Sequence, residues 1–125
     1  MTRFLLVCLG GAFGTGARYL LGTWAANGWG ARFPFGTLGI NVLGSFLLVL
    51  ILYLSMQGRL ITPDARVVLG TGVMGGFTTY STFNYEVLRL LQQGAYGGAA
   101  AYLLATVGGC LAAGAIAVAL VHAFV

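Results

Sequence analysis

Read from Met1, the chain falls into four long apolar stretches separated by short polar interruptions. The first runs from about Phe4 to Ala26 and the second from about Phe35 to Met56. Between them lies a polar, Trp-containing turn, residues 27–34. Gln57, Gly58, Arg59 and Pro63 interrupt the pattern again, and a third stretch covers about Asp64 to Leu91. Gln92, Gln93 and Gly94 close it, and a fourth runs from about Ala95 to Phe124. A helix that crosses a bilayer needs about 20 predominantly apolar residues. Each stretch meets that length, and no alternating pattern competes for a strand. The pattern predicts an all-α integral membrane protein of four transmembrane helices in one domain, residues 1–125.

The third stretch is too long for a simple span. Continuous helix over 64–91 would measure about 42 Å at 1.5 Å per residue, against a hydrocarbon core of about 30 Å. Its middle reads Gly75-Gly76-Phe77-Thr78-Thr79, with Gly70 and Gly72 just upstream. Paired glycines followed by paired β-branched residues are poor helix formers, which predicts a break near 75–79. Such a break leaves backbone groups at membrane depth without helical partners. That is tolerated only where they are buried in protein, bind an ion or line a cavity. Thr62 or Asp64 is suited to cap the start, with Pro63 tolerated in the first turn.

Composition agrees. Hydrophobic residues make up 59% of the chain and charged ones only 6%, where a soluble domain carries roughly 25%. The apolar character of the first stretch outlasts a signal-peptide core, so it reads as a retained helix. The net charge of +4 comes from scattered arginines, 3, 18, 32, 59, 66 and 89, which form no patch for nucleic acid. Arg3, Arg59 and Arg66 fall on one side of the membrane, Arg18, Arg32 and Arg89 on the other. Orientation follows an imbalance of such charges; this balance suits insertion both ways up, and with it an antiparallel two-fold dimer. Glycines and small residues four apart, Gly10/Gly14, Gly72/Gly76 and Gly108/Ala112, permit close helix packing, so a wide pore within one chain is not expected.

Chemistry-bearing residues are few. Gly70 to Gly75 fits G-x-G-x-x-G but lacks the strand and acid that a dinucleotide site needs. Cys8 and Cys110 have no metal or redox spacing, and His122 reads as a tail residue. No catalytic set survives, so the chain is not read as an enzyme. Asn41, inside the second stretch, serves either as glue between helices or as part of a site. Arg18 either snorkels to the interface or faces an aqueous vestibule that attracts anions. Glu86 pairs with Arg89 at i,i+3, lines a wet cavity, or carries protons. Tyr102, Thr106 and Cys110 share one helical face as a polar stripe, although Thr106 is also able to bond back to its own helix. Tyr80 and Phe83 share a face, and aromatic rings have positive edges. With Thr78, Thr79, Ser81 and Thr82 they form either a packed core or a lining suited to a small anion.

Gly75-Gly-Phe-Thr-Thr-Tyr-Ser-Thr-Phe83-Asn-Tyr-Glu86 resembles the signature of the Fluc (CrcB) fluoride channels, roughly G-G-x-T/S-T-F-S-T-F-x-x-E. Gly36-Thr-Leu-Gly-Ile-Asn41-Val-Leu-Gly44 is similar to that family's second-helix motif, and Gly14-Thr-Gly-Ala-Arg18 to its first-helix motif. The resemblance implies a passive fluoride channel of the cell (inner) membrane, built as an antiparallel, dual-topology homodimer with two pores. It implies a structural sodium ion on the dimer axis, held by the backbone carbonyls of Gly75 and Thr78. It assigns Asn41, Tyr80, Phe83, Ser81 and Thr82 to the fluoride pore, and Tyr102, Thr106 and Cys110 to a polar track. Arg18 and Glu86 become vestibule or pore-adjacent charges. Tyr80 departs from the usual Phe, and Cys110 from a common hydroxyl residue. The competing functional class is a proton-coupled exporter of small cations, of the small multidrug type. Such exporters rely on a first-helix Glu that this chain lacks, so Glu86 would have to serve. A non-transporting scaffold is the third class.

Overall fold

The computed structural model describes residues 1–58 and 60–124; Arg59, counted in the arginine balance, lies outside them. Helix α1 is Thr2–Trp29 and α2 is Phe35–Met56. Helix α3 covers residues 63–77 as three continuous pieces, Pro63–Arg66, Val67–Met74 and Gly75–Phe77. Helix α4 is Tyr80–Gln92 and α5 is Tyr96–Phe124. α1, α2 and α5 are each long and apolar enough to cross a membrane. The third span is α3 and α4 together, bent at the residues between them. Large apolar side chains such as Leu9, Phe13, Leu104 and Leu111 are exposed along the outer faces. In water that exterior would aggregate; in a bilayer it is the solvated surface.

Helix α1 continues three residues beyond the boundary read from the pattern. Trp29 stays helical because its ring meets Trp24 edge-on at 5.4 Å and Phe35 at 6.2 Å. The helix stops at Gly30, whose φ of 78° needs a residue without Cβ. At the start of α3 the cap is Thr62, which accepts from the Ala65 N–H at 3.2 Å. Asp64 is left free for an ion pair with Arg3, which ties the starts of α1 and α3 together.

Most of α3 is wider than an α-helix. Val67–Met74 is π-helical, and the Gly75 N–H reaches back five residues to the Gly70 carbonyl. Extended π-helix is rare, and here it is held by backbone-to-backbone packing against α1. Gly10 and Gly14 receive Val68 and Val73, while Gly72 and Gly76 receive Val7 and Gly11. A Cβ on Gly14 would overlap the Val73 carbonyl, and one on Gly76 would overlap the Gly11 carbonyl. The pairs Gly10/Gly14 and Gly72/Gly76 are therefore two halves of one contact. Gly108 faces open space instead; on α5 it is Gly109 and Gly114 that meet α2, at Val42 and Val49. The expectation for Gly108 missed by one residue because an all-apolar helix does not reveal its inward face.

The break falls at Thr78 and Thr79, both extended, with ψ of 154° and 110°. Helix α2 runs past it and separates two cores. On one side Phe83, Val87, Leu90, Ala99 and Tyr102 join α4 to α5. On the other, Ile40, Met74 and Phe77 join α2 to α3. Gly44 lets α2 reach the break: a Cβ there would overlap the Thr78 side chain.

Overpacking of this kind costs typically about 1–3 kcal/mol. Gly14→Ala should lower the stability of the detergent-purified protein by about that amount in thermal unfolding, because the obstacle is backbone. Gly16→Ala, with nothing within 4 Å of the added methyl, should be neutral or slightly stabilising. Equal effects from the two would show that the α1–α3 contact is not tight.

Candidate functional site

The break exposes peptide groups at mid-membrane, and Asn41 receives them. Its Oδ1 accepts from the Thr79 N–H at 2.8 Å, and its Nδ2 donates to the Thr79 carbonyl at 3.1 Å. One amide side chain thus takes the Thr79 N–H that the break deprives of its helical acceptor, and adds a bond to the carbonyl, which as the N-cap of α4 also opens that helix. Asn41 is 8% exposed, so this exchange takes place away from water, where an unmade hydrogen bond is expensive. Asn41 is glue in this respect, yet its second N–H is not needed by Thr79, and the residue also lines a groove. Below it, the Thr79 hydroxyl accepts from the Thr82 N–H at 3.3 Å and caps α4. The same hydroxyl donates to Thr82 Oγ1 at 3.0 Å and lies 3.4 Å from Ser81 Oγ.

The groove, about 290 Å³, runs between α2 and α5 and past the break. Asn41, Ser45 and Thr78 form one wall, Thr106 and Cys110 the other, and Tyr80 and Phe83 close its end. Ser81 and Thr82 do not line it. Phe83 is 5% exposed, whereas Tyr80 is 80% exposed and projects from the chain. Their rings still meet edge to face at 5.7 Å, and Phe83 continues onto Tyr102 at 5.1 Å. Thr106 is buried, and its hydroxyl has no hydrogen-bond partner; the bond back to its own helix is not made. A buried hydroxyl without a partner, beside a groove of ring edges and an amide, is a donor left over for something else.

One turn beyond Phe83, Glu86 is half-buried and fully engaged. Thr37 donates to one of its oxygens at 2.9 Å and the Tyr102 hydroxyl to the other at 2.7 Å. Its pairing with Arg89 is not formed: Arg89 turns instead to the Ala31 carbonyl, at 3.4 Å. Arg18 neither snorkels nor stands free. Its Nε donates to the Gly76 carbonyl at 3.1 Å, and Thr15 Oγ1 approaches the same oxygen at 3.5 Å. With Thr23, Thr37, Thr79 and Thr82 it also lines a second groove of about 310 Å³ on the α1 side of the break.

Thr37, Ser45, Thr15 and Gly76 are site residues that the sequence reading passed over. The signal for two of them was present. Thr37, Asn41 and Ser45 stand at i, i+4 and i+8 on α2, the same spacing that singles out Tyr102, Thr106 and Cys110 on α5. The two polar stripes face each other across the groove, except that Tyr102 and Thr37 meet at Glu86.

The structure therefore defines a multi-pass, all-helical membrane protein whose third span is broken and pinned by an asparagine. The family described as CrcB-like protein, Camphor Resistance (CrcB), matches residues 5–118, and the chain belongs to that family. A relative from Anaeromyxobacter dehalogenans, called a fluoride-specific ion channel FluC, is 60% identical over 122 residues, covering 98% of this chain and 97% of the relative. A protein of the same description from Thermus thermophilus is 51% identical over 100 residues, 80% of this chain and 78% of its own.

Leaving a buried donor or acceptor unpaired costs roughly 1–3 kcal/mol per group. Asn41→Leu, of similar volume, strands the Thr79 N–H and should lower stability by about 1–3 kcal/mol. Asn41→Asp keeps an acceptor for the N–H but sets a carboxylate against the carbonyl, and should fall between. Thermal unfolding of the three proteins in detergent tests this; a leucine variant as stable as the parent would show that the break is held by other means.

Proposed function

We propose that this protein is a fluoride-selective passive channel that lets the ion leave the cell down its gradient. The observation that carries the reading is the groove along α2 and α5, which offers an asparagine amide, a buried unpartnered Thr106 hydroxyl and aromatic edges but no fixed countercharge. The relatives' printed description as fluoride-specific channels supports it. Fluoride is small and strongly hydrated. A pore must return the lost hydration through donors and yet hold the ion weakly enough to release it. In the reading, the ion passes from the Asn41 amide and nearby hydroxyls to the positive edges of Phe83 and Tyr80. It leaves along the face that Tyr102, Thr106 and Cys110 share. Ser81 and Thr82 sit outside the groove of the single chain and contribute through the hydroxyl cluster at Thr79.

The working unit in this reading is an antiparallel homodimer. Tyr80 supports it: a residue assigned to a pore, yet projecting from the lone chain, needs a second surface to close around it. The Gly75 carbonyl supports an axial cation. Its i+4 donor, the Thr79 N–H, is diverted to Asn41, so the oxygen has lost its helical partner. Thr78, three residues on, lies in extended backbone outside the helix. Gly76, between them, is already taken by Arg18 on the opposite face. Carbonyl oxygens of this kind suit a hard monovalent cation such as sodium. Its charge would offset part of the cost of an anion at membrane depth. The cation-exporter alternative is disfavoured, because both oxygens of Glu86 are already committed to Thr37 and Tyr102.

The reconstituted chain should release fluoride from liposomes to an electrode far faster than empty liposomes do, with chloride release at background. No fluoride efflux, or equal chloride efflux, would overturn the channel reading. Phe83→Ile, which keeps the volume class but loses the ring edges, should cut fluoride efflux at least tenfold. Single cysteines placed at positions 3 and 32, at opposite ends of α1, test the assembly. Short cross-linkers should join 3 to 32 between chains and not 3 to 3; the reverse pattern would indicate a parallel pair.

A further inference from the structure

Arg89 is a charged residue near the groove system that neither the proposed conduction path nor the clamp around the break uses. It is half-buried near the end of α4. Its Nε is buried with no hydrogen-bond partner, and its Nη2 has one long bond, to the Ala31 carbonyl at 3.4 Å. A guanidinium carries five N–H donors, so most of its capacity is unspent. Among the described residues no carboxylate pairs with it, although Glu86 stands one turn away on the same helix. Both Glu86 oxygens are held instead by Thr37 and Tyr102.

Arg89 also has space beside it. It lines a cavity of about 300 Å³ whose wall includes Ala31, Phe33, Pro34, Thr37 and Glu86. The depth is right for a mouth. Arg89 follows Thr79 by ten residues, about 15 Å of helix, which is half of a hydrocarbon core of about 30 Å. With the break at mid-membrane, the cavity sits at the boundary between headgroups and hydrocarbon. Glu86 and Thr37 share this cavity with Arg89, Tyr102 joins Glu86 to the Phe83 ring, and Phe83 lines the groove with Asn41.

We propose that Arg89 and the cavity beside it form an anion-binding antechamber, in which a small hydrated anion gathers before it enters the groove. This rests on the channel reading and adds to it a site at the mouth. A fixed positive charge in a low-dielectric recess raises the local anion concentration. The carboxylate of Glu86 in the same wall keeps the hold weak, so the ion moves on rather than staying. Such a site acts on capture rather than on passage. Its effect is greatest when fluoride is scarce and fades as the pore saturates.

The test uses the full chain reconstituted in vesicles of neutral lipid, with fluoride as the probe and impermeant buffer ions. Initial efflux is measured over a range of internal fluoride for the parent, Arg89→Gln and Arg89→Lys. Arg89→Gln should reduce efflux by about threefold to tenfold at low fluoride, and by less than about twofold near saturation. Arg89→Lys, which keeps the charge, should recover at least half of the loss. A glutamine variant equal to the parent at every concentration overturns the site and leaves the channel reading standing. So does one reduced by the same factor throughout, which marks a general loss of folded channels, or a lysine variant as impaired as glutamine. A parent chain with no efflux above empty vesicles defeats the channel reading and the antechamber with it.

Discussion

Everything distinctive in this structure depends on a break in a transmembrane helix being made tolerable by one side chain. A continuous third helix would need nothing from its neighbours. Interrupted at Thr78 and Thr79, it presents peptide groups to a medium that offers no hydrogen bonds. Asn41 meets the Thr79 N–H and carbonyl together, and the Thr79 hydroxyl caps the helix that follows. The diverted N–H is also what frees the Gly75 carbonyl. The same exchange that repairs the backbone thus creates an oxygen with capacity to spare, a few residues from the groove.

Close packing makes the exchange possible. Without Gly44, α2 could not stand near enough for Asn41 to span Thr79. Without the glycine contact between α1 and α3, the wide turns over Val67–Met74 would lack the surface that holds them. Arg18 completes the clamp by taking the Gly76 carbonyl. Its charge is spent on structure, so replacing it would disturb the backbone of the break.

The four spans and the interrupted third helix were legible because lipid imposes a length and because adjacent glycines followed by threonines oppose helix. The residues brought together around Asn41 were legible largely through resemblance to a family. Their partners were not. Periodicity places Thr37 and Ser45 on the face of Asn41, yet nothing in the pattern says that Glu86 prefers Thr37 and Tyr102 to Arg89, three residues away. That preference arises from tertiary placement of α5. The π-helical turns were equally hidden, since Val67–Met74 has the composition of any apolar helix and its shape comes from α1. The inward face of α5 was misread at Gly108 for a related reason: where every face is apolar, burial leaves no periodic trace.

The splice has a consequence for how the chain is made. Thr79 leaves the ribosome 38 residues after Asn41, and chains are elongated from the N-terminus at about 5–20 residues per second. Helix α2 has therefore been translated, with its asparagine ready, seconds before the break arrives. A segment that would be a poor membrane helix by itself meets a waiting template rather than bare lipid. A circular permutation that placed α2 after the third span would keep every contact of the finished protein but remove that head start. Biogenesis, rather than the folded state, would then be the stage at which the permuted chain fails.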